Sequence, residues 1–207
     1  MTETWQQTTE RIAAYYDRLV ETHGHDPRAC DYGRSSSQAR KFAVLADVGD
    51  LTAKSVLDVG CGFADFAEYL AARHRDIRYT GVDIAPPMIR QASQLRPALD
   101  LRQVDILQAE LTERWDLVTA NGIFYLLGED ARGLMGRLVT RMFDLATWAL
   151  SFNSLSSWAP HKEPHEFYAD PLVTLELCRA LTPHVVLRHD YMAHDFTVYM
   201  YREATPG

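Results

Sequence analysis

The chain has 207 residues, 47% of them apolar, which is enough to bury the core of one ordinary domain. Its 28 acidic and 21 basic residues give a net charge of −7, which argues against a nucleic-acid partner, because proteins that hold DNA or structured RNA usually carry a basic surface. No apolar run approaches the ~20 residues that span a bilayer, and the polar N-terminus is not typical of a signal peptide. Three cysteines without C-x-x-C spacing predict reduced thiols in a cytoplasmic protein, with neither a disulfide framework nor a metal site.

Two helices are predicted before the first strand. Apolar side chains recur at helical spacing over residues 3–22, and Gly24 lies just beyond them. A run of serines can cap a second helix over residues 36–47. We expect residues 1–50 to form an N-terminal helical lid and residues 51–207 to form the core, within one compact domain.

Strands and helices alternate through the rest of the chain. The predicted strands are residues 55–59, 78–82, 101–104, 115–120, 146–152, 185–191 and 196–201. The predicted helices between them are residues 64–74, 86–95, 129–143 and 171–181. This alternation predicts an α/β fold, a doubly wound and mostly parallel sheet covered on both faces. The last two strands are joined too directly for a crossover and must be antiparallel.

The first predicted strand runs into a glycine pair, Gly60-Cys61-Gly62, and then into a helix. In an open α/β sheet the ligand crevice lies at the carboxyl ends of the strands, and glycines let the backbone approach a ligand closely. Asp65 stands where a dinucleotide fingerprint has its third glycine. Its carboxylate at the helix start would use the amides and dipole that a pyrophosphate needs. The loop therefore fits a nucleoside better than a dinucleotide.

Acidic residues also end the next two strands. Asp83 ends the second, where a carboxylate can accept both hydroxyl protons of a ribose, although it can also cap the helix that starts at Pro86. Asp105 follows the third strand beside Ile106. Such a pair can accept from an adenine amino group and pack on the ring. These acids, together with the glycine loop, predict a nucleoside site.

Taken together, Asp58-Val59-Gly60-Cys61-Gly62, Asp83, Asp105-Ile106 and Asn121 resemble the class I S-adenosylmethionine-dependent methyltransferases, from about residue 55 to 152. The resemblance implies a seven-stranded sheet of order 3-2-1-4-5-7-6 with an antiparallel last strand. It also implies S-adenosylmethionine as the cofactor and S-adenosylhomocysteine as the product.

The resemblance further implies roles for individual residues. Gly60 and Gly62 would pass the methionine part of the cofactor, while Asp83 would bind the ribose and Asp105 the adenine amino group. Ile84 and Ile106 would pack against adenine. Asp58 would brace the loop through backbone or water contacts, and Ala64 stands where many members have a third glycine.

The fourth strand delivers Asn121, Phe124 and Tyr125 to the crevice. Asn121 would fix the amino group of the cofactor, while the two aromatic residues wall the methyl-transfer site and attract the sulfonium. The alternative is that both rings are core residues. The segment is distantly similar to the Asn-Pro-Pro-Tyr of amino-group methyltransferases acting on DNA and proteins, but both prolines are absent.

Residues outside the sheet supply candidates for a lid and a reactive site. The lid aromatics include Trp5, and the predicted substrate pocket consists of Tyr16, Tyr32, Tyr125, Asn153, Trp158 and Tyr168. Arg34 can hold the cofactor carboxylate in bidentate geometry or remain solvated. The catalytic candidates are Asn121, Tyr125 and His165, the last as a general base. Pro164 argues against a helical metal pair of His161 and His165.

Methyl transfer from a sulfonium needs alignment and exclusion of water more than a catalytic triad. We therefore predict a methyltransferase that acts on N or O of a small molecule, with no nucleic-acid or membrane partner. Two alternatives stay open. One is intramolecular cyclisation of the cofactor to azetidine-2-carboxylate with release of methylthioadenosine, and the other is a non-catalytic cofactor-binding partner subunit.

Overall fold

The computed structural model describes residues 3–30 and 35–204. The helices are α1 (Trp5–His23), α2 (Ser35–Ala46), α3 (Asp65–Ala71), α4 (Pro86–Leu95), α5 (Ala131–Leu145) and α6 (Pro171–Arg179), and a short 3-10 turn, Pro27–Cys30, follows α1. The strands are β1 (Ser55–Val59), β2 (Arg78–Asp83), β3 (Asp100–Gln103), β4 (Trp115–Ala120), β5 (Ala146–Leu155), β6 (Val185–Met192) and β7 (Asp195–Tyr201). All the predicted helices and strands are present. The bounds differ by a few residues, mainly because α3 is shorter and β5 longer than predicted.

The sheet has the strand order β3-β2-β1-β4-β5-β7-β6, which confirms the expected order. The neighbours from β3 to β5 are parallel, and β7 is antiparallel to both β5 and β6. The chain reverses its direction of winding between β1 and β4. In such a sheet this reversal opens a crevice at the carboxyl ends of the two strands.

Apolar side chains cover the sheet on both faces. One face carries α5, with residues such as Leu138 and Val139 packed on Leu57 and Leu150. The other carries α2 and α3, including the fully buried Leu45. Burial of this area stabilises the sheet by roughly 25 cal/mol per Å² of apolar surface.

Helix α2 belongs to the layer that covers the sheet, whereas α1 lies over its carboxyl edge. Hydroxyl groups of the sheet hold α2 at its C-terminal end, where Ser151 Oγ donates to the Leu45 carbonyl at 3.0 Å and Tyr201 to that of Val48 at 3.0 Å. Helix α1 begins with a capping box between Thr4 and Gln7. Within the described part of the chain, no helix has the length and hydropathy of a membrane span.

Candidate functional site

A cavity lies at the carboxyl ends of β1, β2 and β4, between the sheet and α1. It collects most of the residues that the sequence predicts to be functional. Those that line it are Tyr16, Asp58, Gly60, Gly62, Asp83, Ile84, Asp105, Ile106, Asn121, Phe124 and Tyr125. The predicted strand ends therefore converge on one site.

The glycine loop makes a tight turn that only small residues tolerate. Gly60 and Gly62 have φ angles of +73° and +54°. A Cβ on Gly60 would come within 2.4 Å of Ile123 Cγ2, so a side chain at this position is excluded by contact as well as by backbone strain. Ala64 is also left-handed, with φ of +61°, at the position where the resemblance stated above implies a third glycine.

Asp83 fastens the loop and faces the cavity. Its Oδ2 accepts from the Gly62 amide at 3.0 Å and its Oδ1 from the Ala85 amide at 2.8 Å. Burial raises the pKa of this carboxyl, and the backbone donors oppose the rise. The carboxylate also lines the cavity, where its oxygens can accept hydrogen bonds from the hydroxyl groups of a ligand. Asp83 bonds the amide of Ala85, the residue before α4, because the helix itself begins with Pro86 and Pro87, which have no N–H to donate.

Asp65 meets a different partner from the one expected. It is the first residue of α3 and lines the cavity, but no side chain caps that helix. Instead its carboxylate pairs with Arg96 at 2.7 Å and with His25 at 3.3 Å. A charged guanidinium attracts a carboxylate more strongly than neutral amides do, so Arg96 and not the helix satisfies Asp65.

Asp105 also lines the cavity, as do the apolar Ile84 and Ile106. Its Oδ2 accepts from Trp5 Nε1 at 2.7 Å and from Gln108 Nε2 at 2.9 Å. Its Oδ1 accepts from the Leu107 amide at 2.9 Å. The first residue of α1 thus reaches the carboxylate that the sequence assigns to adenine.

Asp58 is buried beneath the loop, where its Oδ2 accepts a hydrogen bond from the Tyr79 hydroxyl at 2.6 Å. The structure thus joins it to β2 by a side-chain bond, where the sequence predicted backbone or water contacts with the loop. Burial raises the pKa of Asp58 to about 7, a rise that the Tyr79 hydrogen bond opposes and the nearby Asp83 reinforces. The charged form is therefore costly in the folded protein.

This burial predicts a pH dependence of stability. Because the folded-state pKa lies above the unfolded one, ionisation favours the unfolded chain as pH rises from about 4 to about 7. Asp58→Asn removes the ionisable group and keeps an acceptor for Tyr79. We expect the stability of the variant relative to wild type to rise by more than about 1 kcal/mol between pH 4.5 and 7.5, as measured by urea unfolding. A difference that is the same at both pH values would contradict the burial argument.

Asn153, on the neighbouring strand β5, holds the end of β4. This side chain is fully buried; its Nδ2 donates to Asn121 Oδ1 at 2.7 Å and its Oδ1 accepts from the Gly122 amide at 2.7 Å. Phe124 is also buried and packs edge-on against Phe152, with 5.6 Å between ring centroids. Phe124 is thus a core residue that also contributes to the cavity wall. The two alternatives that the sequence left open for it, core residue and site wall, are therefore compatible.

Tyr125 connects the cavity to two segments outside the parallel part of the sheet. Its hydroxyl lies 2.9 Å from that of Tyr16 on α1. Its carbonyl accepts from the Phe167 amide at 2.8 Å, which draws the loop after β5 toward the site. The residue before that amide, Glu166, lines the cavity.

Some cavity residues belong to no sequence motif that would have predicted their place in the site. Lys41 of α2 and Asp195 of β7 form an ion pair at 2.6 Å, and both side chains are almost fully buried. Tyr191 donates a short hydrogen bond to Asp195. These groups and Glu166 are far apart in the chain, so no local motif could have joined them.

Other predicted residues lie elsewhere. His165 is exposed, as is Trp158, half of whose surface is open to solvent while its ring lies beside His189. The Tyr168 hydroxyl is bound to Glu166 and to the Glu163 amide, and the residue does not line the cavity. Pro164 and its neighbours form turns, and none of these three side chains lines the cavity. Arg34 and Tyr32 lie outside the described residues. In the ranges that the structure describes, no three His, Cys, Asp or Glu residues are grouped to hold a metal ion.

Comparison with known sequences identifies relatives of this chain. Residues 57–144 match a family model described as a methyltransferase domain. A protein of Mycobacterium tuberculosis named as a methyltransferase is 31% identical over 151 residues, which are 70% of this chain and 90% of that protein. A malonyl-[acyl-carrier protein] O-methyltransferase of Acetivibrio thermocellus is 36% identical over 59% of this chain and 44% of its own length.

Solved structures share the fold. A DhpI-SAM-HEP complex superposes with a TM-score of 0.73 at 15% identity, over 98% of this chain and all of that one. The N-methyltransferase NodS of Bradyrhizobium japonicum, in complex with S-adenosylhomocysteine, gives a TM-score of 0.64 at 20% identity, over 90% of this chain and 97% of that one. At these identities the likeness is one of architecture.

Proposed function

We propose that this chain, which belongs to the class I S-adenosylmethionine-dependent methyltransferases, transfers a methyl group to a nitrogen or oxygen atom of a small molecule. The observation that carries the proposal is the cavity, where the glycine loop, Asp83 and Asp105 meet Tyr16 and Tyr125 in one space. A nucleoside and a reactive centre can therefore be held side by side. Relatives named as O- and N-methyltransferases support both acceptor atoms.

The described residues fit S-adenosylmethionine, which when bound supplies a methyl group on a sulfonium. Asp83 has acceptor positions for two ribose hydroxyls, and the left-handed Gly60 and Gly62 leave room beside the loop. Ile84 and Ile106 offer apolar faces for a purine. We assign the adenine amino group to Asp105.

The remaining residues would align the acceptor and exclude water. Tyr16 and Tyr125 bring their hydroxyls together at the end of the cavity beyond the loop. Glu166 is a carboxylate on the cavity wall, and we propose it, rather than the exposed His165, as the group that takes a proton from the acceptor. In this proposal residues 3–30 act as the lid, since α1 covers the cavity while α2 is packed on the sheet.

The alternatives receive no support from the cavity or the relatives. The relatives are named as transferases, which argues against a non-catalytic subunit. Among the residues that the structure describes, none favours cyclisation of the cofactor over transfer. Methyl transfer to a small molecule therefore remains the proposal.

Mass spectrometry of the products tests this function. The protein is incubated with S-adenosylmethionine and, in parallel, with panels of small amines, carboxylic acids and phenols. We expect S-adenosylhomocysteine and a methylated acceptor to form together, and no detectable binding of NAD in a calorimetric control. Methylthioadenosine formed without an acceptor would contradict methyl transfer and favour cyclisation.

A further inference from the structure

We propose that Trp5 is a positioning residue for adenine, acting through Asp105. The inference rests on the proposed function, since it concerns the cofactor assigned there. The indole Nε1 of Trp5 donates to Asp105 Oδ2 at 2.7 Å, and both residues line the cavity. The contact joins the first turn of α1 to the end of the third strand, so it orders two segments that are distant in the sequence.

The hydrogen bonds of Asp105 define where a further donor can bind. Oδ2 accepts from both Trp5 and Gln108, whereas Oδ1 accepts only from the Leu107 amide among the described residues. A carboxylate offers about four acceptor positions, two on each oxygen. The position that remains is on Oδ1. Trp5 and Gln108 together thus direct an incoming amino group to Oδ1.

Without the indole of Trp5, the orientation of the Asp105 carboxylate is less restricted. The terminal torsion of an Asp side chain is soft, so rotation about it is limited mainly by its hydrogen bonds. Loss of the Trp5 donor leaves Oδ2 with Gln108 alone, a flexible side chain. The bond from an adenine amino group to Asp105 then becomes weaker, while contacts of the ribose with Asp83 are unaffected.

The same helix lines the cavity over several turns. Ile12 and Tyr16 follow Trp5 on one face of α1, and all three line the cavity. Trp5 and Tyr16 are eleven positions apart in α1, or about 16 Å along its axis. Because Tyr16 also meets Tyr125, the position of α1 links adenine recognition to closure over the reactive end. Cofactor binding and lid closure therefore favour each other.

Isothermal titration calorimetry with two ligands tests the role of Trp5. The probes are S-adenosylhomocysteine and its deaminated analogue S-inosylhomocysteine, which lacks the amino donor. We expect Trp5→Phe to weaken binding of S-adenosylhomocysteine about fivefold, the worth of one modest hydrogen bond, and binding of the analogue less than about twofold. In an Asp105→Asn background, Trp5→Phe should cause no further loss, because it acts through that carboxylate.

Trp148→Phe is the matched control, since Trp148 packs against Tyr201 at the amino end of β5, outside the cavity lining. It should leave both affinities unchanged. Equal losses of affinity for the two ligands, or losses that add in the double variant, would show that Trp5 only covers the cavity and does not act through Asp105. Tighter binding in Trp5→Phe would show that the indole competes with adenine. Either result overturns this inference alone, whereas a wild-type protein that binds no S-adenosylhomocysteine overturns the proposed function with it.

Discussion

Replacing Asp83 with alanine is expected to weaken binding of S-adenosylmethionine by roughly 2–3 kcal/mol, or about 30- to 150-fold. Two ribose hydroxyls would lose a charged acceptor. The Gly62 amide, which donates to Asp83 at 3.0 Å, would also lose its partner, so the loop beside the methionine part becomes less ordered. Titration calorimetry measures the change, with unfolding curves to show that the variant is folded.

Two further variants sharpen this test. Asp83→Asn keeps an acceptor oxygen and removes the charge, so its affinity should fall between those of wild type and the alanine variant. Asp100→Ala removes an exposed carboxylate of β3 that pairs with Arg102, and it should leave affinity unchanged.

Because burial raises the pKa of Asp83, wild-type affinity should increase as pH rises through that pKa, and the alanine variant should lack this increase. Unchanged affinity in Asp83→Ala would remove the residue from the ribose role.

Deletion of residues 1–34 should lower turnover by at least about 100-fold and cofactor affinity by only about tenfold. The larger effect falls on turnover because α1 carries Tyr16 and closes the cavity to water, while the ribose contacts lie on the sheet. Unfolding should stay cooperative, since α2 is retained, but stability should decrease. Helix α1 packs Ala13, Leu19 and Val20 near Met88 of α4, and this contact is lost.

Point variants distinguish the effect of losing the lid on turnover from the effect of losing the packing of α1. Tyr16→Phe removes only the hydroxyl that meets Tyr125, so turnover should fall about tenfold with little change in cofactor affinity. Tyr69 of α3 does not line the cavity, and Tyr69→Phe should behave as wild type. Both quantities come from steady-state kinetics and calorimetry. A folded deletion variant with near-native turnover would rule out the lid.

The elements of the fold were predictable from the sequence because their signals are local. Alternating apolar runs and glycine or proline breaks mark strands and helices directly, and β1, α4 and β4 begin and end at the predicted residues. The strand order needed the resemblance of the glycine loop and strand-end acids to a known family. Once the order is fixed, parallel strands bring their carboxyl ends to one edge, so the loop, Asp83 and Asp105 had to meet.

The partners of these groups were decided by the tertiary structure. The sequence placed Asp65 at a helix start but could not show that Arg96 would pair with it. It identified His165 in a loop, whereas the bond from the Phe167 amide to the Tyr125 carbonyl brings Glu166 to the cavity wall instead. A loop without periodicity has no pattern from which side-chain direction can be read.

The sequence by itself therefore determined the α/β class, the crevice at the strand ends and the presence of Asp83 and Asp105 in it, because strand and turn preferences act over a few residues. Only the tertiary structure decided the ion pair of Lys41 with Asp195 and the bond from Trp5 to Asp105. Each joins segments from distant parts of the chain. Their geometry depends on how α1 and α2 pack on the sheet to which β7 belongs, and packing is a property of the whole chain, not of any short stretch of it.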